Sequence, residues 1–281
     1  MSSGGNTTGS ILRYSSSGAF IDTFATGSGL KRPYGNAFGP DGNLYVASFR
    51  SDEILRYNGN TGAFIDVFAK GNGSSAGLLN GPNDLVFAPN GMLYVTTQGS
   101  VADGLGGIKY LFDSQLLGYN VATGTGSLIA TPSPTVGGNG YVSLLGAVVG
   151  PDGLLYTTDY AGGIRSYNTL TGALVQTIDT GPLFGGSSIA STVGNLVFAP
   201  DGLLYVPVFN DGANGVEANG VAACAVATGS CTLLVSDSTH LSRPIGIAFV
   251  PTPVPEPSVF ALMLAGFVGL IGWRRRALRT A

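Results

Sequence analysis

The sequence predicts an all-β protein, a β-propeller of four-stranded blades, followed by a C-terminal transmembrane helix. Three observations lead to this prediction: a repeated pattern of short strands and tight turns, a composition suited to turns, and an uncharged apolar segment near the C-terminus. Of 281 residues, 45 are Gly and only 10% are charged, whereas globular proteins average about 7% Gly and about 25% charged residues. Glycine suits tight turns and destabilises helices.

Two segments recur along the chain. The first is a turn and a strand, which reads GPDGNLYV, APNGMLYV, GPDGLLYT and APDGLLYV at residues 39–46, 88–95, 150–157 and 199–206. Pro fixes φ there, Asp or Asn bonds its own backbone, and Gly tolerates a positive φ. The second is a hairpin with a Thr-Gly turn, at residues 54–71, 116–130, 164–178 and 221–235, with a further copy at 11–27. Each pair of segments predicts four antiparallel strands, named A to D below.

Four-stranded units that repeat every 40 to 60 residues, roughly, are typical of propeller blades around a channel. Residues 245–250 have the pattern of strand A without B, C or D after them, and the first strands, near 11–14 and 19–25, are C and D alone. The two ends therefore form one composite blade, which gives five blades; six would need a further strand set. The repeats resemble NHL repeats over residues 10–251, which implies the fold and little about function.

The composite blade lacks most of its strand B. Aligning Ile11 with Ile54 places Met1 opposite Leu44, inside that strand. The sequence also begins without the charged and apolar segment of an export signal. We expect one explanation for both gaps, a true start some tens of residues upstream.

The tail contains three elements in order: a Pro-rich linker at 252–257, an uncharged apolar run at 259–273, and a basic end. As a helix, the run reaches about 23 Å, short of a ~30 Å hydrocarbon core. The positive-inside rule keeps the arginines cytoplasmic and places the preceding residues outside. The sequence therefore predicts a propeller over 1–251 and a sorting segment over 258–281 that crosses the membrane with residues 258–273.

This tail resembles the PEP-CTERM sorting signal of Gram-negative bacteria over about thirty residues. The matching residues are the motif and the basic cluster, Pro255, Glu256, Pro257, Arg274, Arg275 and Arg276, on either side of the apolar run. The resemblance implies an exosortase as partner, cleavage near Pro-Glu-Pro, and transit through the inner membrane. It also implies a final place at the cell surface or in an exopolysaccharide or biofilm matrix.

The long insertions lie on one face of the predicted propeller. They join strands B to C or D to A, at residues 98–113, 131–142, 180–192 and 209–219. Because repeat proteins tend to place insertions on their binding face, we expect this face to bind a glycan or protein ligand without catalysis. Residues 1–251 carry 15 of the 16 acidic and nine of the 13 basic side chains, a formal charge of −6. That charge argues against a nucleic acid partner.

The candidates for ligand binding start the A strands and face the channel: Asn36, Asn83, Asp84 and Asn195. Asn83 and Asp84 resemble the Pro-Asn-Asp stretch that carries a metal ligand in gluconolactonase-type propellers. The acidic ligand that this family needs on another blade falls on Gly246 or Ile247 here. Carboxylate and amide oxygens suit Ca²⁺, so the alternative function is a metal-dependent, lactonase-like hydrolase. The structural interpretation is that these residues cap turns and line a wet channel.

Three further residues are candidates for chemistry. His240 is the only histidine, which excludes a zinc site of several histidines and leaves it as the catalytic candidate of a propeller lyase. Cys224 and Cys231 bracket AVATGS, so a hairpin turn there would bring them together. A disulfide fits an oxidising compartment, and two buried thiols are the alternative. The tyrosines at one repeat position are interpreted as packing residues: Tyr14, Tyr57, Tyr119 and Tyr167.

Overall fold

Short strands between glycine-containing turns make up the structure, which is a computed structural model. It describes residues 1–71, 79–103, 105, 107–134, 140–160, 162–184, 191–192, 194–211, 217–242 and 244–249. The strands are β1 (Ser2–Gly4), β2 (Gly9–Tyr14), β3 (Phe20–Thr26), β4 (Pro33–Phe38), β5 (Leu44–Ser48), β6 (Glu53–Tyr57), β7 (Phe64–Lys70), β8 (Pro82–Phe87), β9 (Met92–Thr97), β10 (Ser100–Ala102), β11 (Ile108–Tyr110), β12 (Leu116–Asn120), β13 (Gly126–Ala130), β14 (Leu144–Val149), β15 (Leu155–Asp159), β16 (Gly163–Tyr167), β17 (Leu174–Ile178), β18 (Ser191–Thr192), β19 (Val197–Phe198), β20 (Leu204–Asp211), β21 (Glu217–Ala225) and β22 (Ser230–Ser236). A 3-10 helix covers Gly181–Phe184. The chain divides into two units, Met1–Ala248 and Phe249–Ala281, and all these elements belong to the first.

These strands form five antiparallel blades, which confirms the predicted all-β propeller and its blade number. Blade 1 has three strands, β1 to β3; blade 2 is β4 to β7, and blade 4 is β14 to β17. Blade 3 is β8, β9, β12 and β13, with the β10–β11 hairpin inserted between its second and third strands. In blade 5, two short strands, β18 and β19, both pair with β20, and β21 and β22 follow.

The core lies where the inner strands of successive blades pack together. Tyr45 of β5 is fully buried, and its ring makes edge contacts with Phe68 of its own blade and Phe87 of the next. Three of the four recurring tyrosines are buried as expected: Tyr57, Tyr119 and Tyr167. Tyr14 is the exception at 40% exposure, because it ends β2 in the incomplete first blade.

The Pro-Asp-Gly turns have the conformation that the sequence predicts. In the first of them Gly42 has a φ of 74°, and Asp41 Oδ1 accepts a hydrogen bond of 3.1 Å from the backbone N–H of Asn43. The other carboxylate oxygen of Asp41 accepts a bond from the Tyr45 hydroxyl, also at 3.1 Å. Asp152 with Tyr156 and Asp201 with Tyr205 repeat this bond, so each of these turns is tied to the strand that follows it.

The prediction of strand A over residues 245–250 is wrong for its described part. Residues 244–249 have no strand conformation. The segment nevertheless lies beside blade 5, since the carbonyl of Ile245 accepts a hydrogen bond of 3.0 Å from the backbone N–H of Asn195. The composite blade therefore consists of β1 to β3 with an irregular segment in place of its first strand.

The insertions contain more regular structure than a loop interpretation predicts. Much of 209–219 is strand, because β20 continues to Asp211 and β21 begins at Glu217, and these two residues pair. Residues 212–216 lie outside the described part. The 98–113 insertion contains the β10–β11 hairpin, and the 180–192 insertion contains the 3-10 helix.

The two cysteines face each other across the outer hairpin of blade 5. Cys224 of β21 pairs with Cys231 of β22, and a disulfide joins them. Gly229, in the turn between them, has a φ of 71°, as a tight turn at Thr-Gly requires.

The tail elements fall outside the described residues: the linker at 252–257, the predicted membrane segment at 258–273 and the arginine cluster. Among the residues that the structure describes, no helix is long and apolar enough to cross a membrane.

Candidate ligand-binding face

The two faces of the propeller differ in the length of their connections. Antiparallel strands place the A–B and C–D turns at one end of every blade and the B–C and D–A connections at the other. Gly39–Asn43 and Asn58–Ala63 close short turns by backbone hydrogen bonds at the first end. All four insertions are at the second end, which we call the loop-rich face.

Asp84 lies in the wall of the channel, where it links two blades. Its side chain belongs to β8 and is 7% exposed, and its Oδ2 accepts a hydrogen bond of 3.0 Å from the backbone N–H of Ala147 in β14. Burial raises the pKa of Asp84 to about 6, and backbone hydrogen bonds from Ala147 and Leu85 lower it in part. The carboxylate is thus held by backbone donors.

The other channel candidates also bond neighbouring blades. Asn83 is buried and donates from Nδ2 to the carbonyl of Leu144, at 2.9 Å. Asn36 donates to the Ser2 hydroxyl at 2.9 Å, and Asn195 is exposed. The structure brings Asn36 and the Asn83–Asp84 pair onto adjacent strands, β4 and β8, whereas β14 separates that pair from Asn195.

Close packing around Asp84 requires glycine on the preceding blade. A Cβ atom at Gly35 would lie 2.2 Å from Asp84 Oδ1 and 2.7 Å from its Cα, distances shorter than van der Waals contact. The channel strands therefore approach one another closely at the level of Asp84, and the carboxylate fills the space that this glycine leaves.

The proposed calcium ligands are engaged with the backbone. Asn83 and Asp84 each bond to β14, and among the described residues no group of three or more His, Cys, Asp or Glu side chains is arranged to hold a metal ion. The prediction of a Ca²⁺ site at Asn83 and Asp84 remains a prediction.

His240 lies in a surface turn. Its side chain is 81% exposed, and its Nδ1 lies 2.8 Å from Asp237 Oδ2. The other oxygen of Asp237 accepts the backbone N–H groups of Thr239 and His240, both at 3.0 Å. The hydrogen bond with His240 holds the pKa of the Asp237 carboxyl below its ordinary value. Asp237 thus shapes the turn and orients the imidazole.

Aromatic and basic side chains meet on the loop-rich face between blades 2 and 3. The rings of Tyr34 and Phe49 lie 4.8 Å apart, and the guanidinium of Arg32 is 5.7 Å from the first ring centre and 5.9 Å from the second. Burial raises the pKa of Tyr34 and Tyr110 raises it further, whereas Arg32 and Arg50 lower it. The five side chains thus interact with one another.

Further tyrosines continue this surface toward blade 4. Tyr110 of β11 and Tyr141 are 65% and 47% exposed. Burial raises the pKa of Tyr141, and the nearby Tyr160, Asp159 and Tyr110 raise it further. Tyr160 in turn packs edge-on against Phe209 of blade 5, with ring centres 6.1 Å apart. We call Tyr34, Tyr110, Tyr141 and Tyr160 the tyrosine cluster.

A buried ion pair braces the loop that carries Tyr141. Arg165 and Asp159 are 2% and 0% exposed, and their charged atoms lie 2.6 Å apart. Arg165 also donates to the carbonyl of Ser133 at 2.8 Å, and Asp159 accepts the backbone N–H of Ser143 at 2.9 Å. Because Ser133 and Ser143 lie close to the two ends of the 131–142 insertion, this pair holds both ends of the loop.

The tyrosine cluster is the part of the site that the sequence did not predict. Two of its members, Tyr110 and Tyr141, lie in insertions, and Tyr34 stands where the next blade has Asn83. Repeat alignment identifies only residues that recur, so it did not find these tyrosines. The sequence feature that could have identified them is the presence of aromatic residues within the insertions.

A cavity of about 540 Å³ lies on the opposite face, around the short turns of blades 3, 4 and 5. All its lining side chains are apolar, and they include Phe87, Phe198 and the prolines of the turns, Pro89, Pro151 and Pro200. Ligand sites normally add a few polar groups that fix orientation, so the loop-rich face is the better candidate.

The tail matches a known sorting motif. Residues 253–276 match the family model of the PEP-CTERM protein-sorting motif. The match covers the Pro-Glu-Pro, the apolar run and the three consecutive arginines, as the resemblance in the sequence indicated. No curated protein matches the chain in sequence.

The solved structures similar to this one share its fold at low identity. A protein described as a gluconolactonase is 16% identical, with a TM-score of 0.54 over 78% of this chain and 70% of that one. A chain of a nidogen–laminin complex is 15% identical, with a TM-score of 0.56 over 81% and 71%. The extracellular domain of a two-component system protein from B. thetaiotaomicron is 12% identical, with a TM-score of 0.51 over 83% of this chain and 28% of that one. These similarities support the propeller fold alone.

Proposed function

The chain carries a PEP-CTERM protein-sorting motif behind a five-bladed propeller, and we propose from this that it works outside the cell as a binding protein. An exosortase sorts it at the membrane, and it reaches the cell surface or the extracellular matrix of a Gram-negative bacterium. There its loop-rich face binds a glycan or protein ligand without catalysis.

The observation that carries the binding proposal is the tyrosine cluster. Its members come from three blades and two insertions, and two of them, Tyr110 and Tyr141, expose about half or more of their surface. Tyrosine combines a large apolar ring with a polar hydroxyl, which is the composition of many protein and ligand interfaces. Exposed apolar surface of this kind, bordered by polar groups, often marks an interaction site.

The same face is held in place before any ligand arrives. The Arg165–Asp159 ion pair fixes the ends of one insertion, and Arg50 donates to the carbonyl of Gly107 within another. Ordering loops on binding costs free energy, so a preformed face gains affinity. These braces support recognition by the loop-rich face as a whole.

The tail completes the proposal. Residues 258–273 form a short membrane anchor during transit, the arginines stay in the cytoplasm, and cleavage near Pro255–Pro257 releases the propeller. Two observations support this step: the motif match, and the uncharged apolar run between the linker and the arginines.

A lactonase-like hydrolase is the alternative, and Asp84 is the residue that favours it. A carboxylate in the channel wall with a pKa raised to about 6 has the altered acidity often found in active sites. Metal analysis of the full-length protein, purified in detergent, tests this alternative. Stoichiometric Ca²⁺ that Asp84→Ala removes would support the hydrolase, together with turnover of a lactone panel.

The binding proposal is tested with the full-length chain on a glycan array and in pull-downs from the extracellular matrix. We expect Tyr110→Ala and Tyr141→Ala each to weaken binding about tenfold, because each removes an exposed ring worth about 1–2 kcal/mol at an interface. Tyr14→Ala is the matched control, since Tyr14 is also an exposed tyrosine but lies on blade 1. Equal losses in all three variants would contradict a site on the loop-rich face.

A further inference from the structure

The basic residues divide into two groups that differ in their partners. Eight Lys and Arg side chains fall in the described residues. Four of them form ion pairs with carboxylates: Arg13, Arg56, Lys70 and Arg165. In the described part of the chain, the other four form no ion pair: Lys31, Arg32, Arg50 and Lys109. All four of these lie on the loop-rich face, in an otherwise acidic domain.

Backbone contacts place these four residues next to one another. The backbone N–H of Arg50 bonds the carbonyl of Lys31 at 3.2 Å, and Arg32 follows directly. The Arg50 side chain reaches the carbonyl of Gly107, two residues before Lys109 in the β10–β11 hairpin. One basic patch therefore spans blade 2 and the blade 3 insertion.

Arg50 is the most buried member of this group. It is 6% exposed, and burying a cation costs free energy that a nearby anion offsets. One of its nitrogens donates to the carbonyl of Gly107. Backbone hydrogen bonds from Leu105 and Gly107 lower the pKa of the Asp103 carboxyl, and the positive charges of Lys109 and Arg50 lower it further. Among the described residues Asp103 forms no ion pair with Arg50, so an anionic ligand would be the first direct ionic partner of this guanidinium.

The basic patch adjoins the tyrosine cluster. Arg32 stacks over Tyr34, and Lys109 precedes Tyr110 in β11. Polar and charged donors beside exposed aromatic rings suit a ligand that has anionic groups and apolar ring faces. A uronic acid has both, since its carboxylate pairs with Arg or Lys and the C–H face of its pyranose ring packs on an aromatic ring.

We propose that Lys31, Arg32, Arg50 and Lys109, together with Tyr110 and Tyr141, form a binding site for an acidic polysaccharide that contains uronic acids. The carboxylates bind the basic patch, and the neighbouring sugar rings pack on the tyrosines. This inference rests on the proposed function and narrows its ligand to one chemical class.

A single-stranded nucleic acid also has anionic groups and flat rings, but the charge of the domain disfavours it. Residues 1–251 carry a formal charge of −6. A nucleic acid has a phosphate at every nucleotide and needs a long basic track. The basic patch has four cations, enough for a few carboxylates of one saccharide.

The test uses the full-length protein in detergent and measures its affinity for an oligogalacturonate of about eight sugars by isothermal titration. The matched probe is the same oligomer with its carboxylates reduced to alcohols. We expect the acidic oligomer to bind at least tenfold more tightly than the reduced one at low salt. Raising the salt concentration should remove most of that difference, because it screens exposed charges.

Variants separate the patch from general charge effects. Arg32→Gln and Lys109→Gln should each weaken binding of the acidic oligomer about tenfold and leave the reduced oligomer unaffected. Arg13→Gln is the control, because it removes one positive charge on blade 1, where Arg13 pairs with Asp22. Circular dichroism confirms that each variant is folded. Arg50 is left intact, since its burial makes a folding defect the expected result.

Each outcome has one meaning. Preference for the acidic oligomer that Arg32→Gln and Lys109→Gln abolish supports the inference. Equal affinity for both oligomers, with loss in Tyr110→Ala, overturns the acidic ligand and leaves glycan binding in place. Tighter binding of single-stranded DNA than of the acidic oligomer overturns it in favour of nucleic acid. Failure to bind either oligomer or any arrayed glycan or matrix protein overturns both this inference and the proposed function.

Discussion

Asp84 is the residue at which burial and charge conflict most directly. Its carboxylate is buried in the channel wall, and its hydrogen bonds come from backbone N–H groups, with Gly35 making room for it. Burial disfavours the ionised form. At pH values at which Asp84 is ionised, it therefore lowers the stability of the fold, although its hydrogen bond still links β8 to β14.

The pH dependence follows from the raised pKa of Asp84. The folded protein keeps this proton up to about pH 6, whereas the unfolded chain loses it near pH 4. The free-energy cost of ionising Asp84 is absent below the pKa that it has in the unfolded chain. The cost is complete above the pKa that it has in the folded protein, where it amounts to about 3 kcal/mol. Asp84→Asn should therefore gain stability relative to the parent as the pH rises from 4 to 7.

Denaturant unfolding of both proteins at pH 4.5, 6 and 7.5 measures this effect. Because the amide oxygen of the asparagine side chain can still accept a bond from Ala147, the variant should be about equal to the parent or less stable at pH 4.5. At pH 7.5 the free energy of unfolding of the variant should equal or exceed that of the parent. A constant difference in unfolding free energy across the three pH values would contradict the raised pKa.

The sequence predicted where the channel residues lie better than what they contact. Strand pattern alone placed Asn83 and Asp84 at the start of strand A, and both do belong to β8. Their partners, Leu144 and Ala147, are about sixty residues away along the chain. Contacts between blades depend on how the blades pack, and repeat alignment does not contain that information.

At the scale of single elements, the outer hairpin of blade 5 is closed by a covalent bond. Cys224 and Cys231 are seven positions apart and lie opposite each other on β21 and β22. Cys224 is fully buried in a cluster with Ile164, Leu204 and Val206. The disulfide therefore joins the outermost strand to the core of its blade.

Replacing both cysteines by alanine should lower the free energy of unfolding by about 2 kcal/mol, the entropy of closing a loop this short in the unfolded chain. Denaturant unfolding of the parent with and without a reducing agent measures the same quantity independently. If reduction leaves the midpoint unchanged, the bond does not constrain the unfolded chain and this account is wrong.

Turns were predictable from the sequence because their chemistry is local. Pro-Asp-Gly sets the φ of Gly42 and the bond from Asn43 to Asp41 within five residues. Strand A of the composite blade was not predictable in the same way. Residues 245–250 have the right pattern, but a strand also needs a pairing partner from a distant part of the chain, and residues 244–249 have no strand conformation.

At the scale of the whole molecule, ring closure depends on the weakest blade. Blade 1 has three strands, of which β1 pairs at only three positions, whereas blade 2 has four complete strands. Local opening is easiest where few hydrogen bonds and buried contacts must break. Blade 1 should therefore open before the other blades.

Hydrogen exchange followed by mass spectrometry tests this prediction with an internal control. Residues 11–27 and 54–71 have nearly the same sequence, so their intrinsic exchange rates are similar. We expect amides of β2 and β3 to exchange at least tenfold faster than those of β6 and β7. Equal protection of the two hairpins would show that blade 1 is as stable as blade 2.

The irregular segment at 244–248 also decides how the ring responds to mechanical force. When the chain beyond Ala248 is held fixed and the ligand is pulled by flow, tension enters the propeller through this segment. Its described backbone attachment is one hydrogen bond, from Asn195 to Ile245, whereas β8 shares four register pairs with β9. We therefore expect a pulling force on the chain beyond Ala248 to detach this segment from blade 5 before it separates β8 from β9.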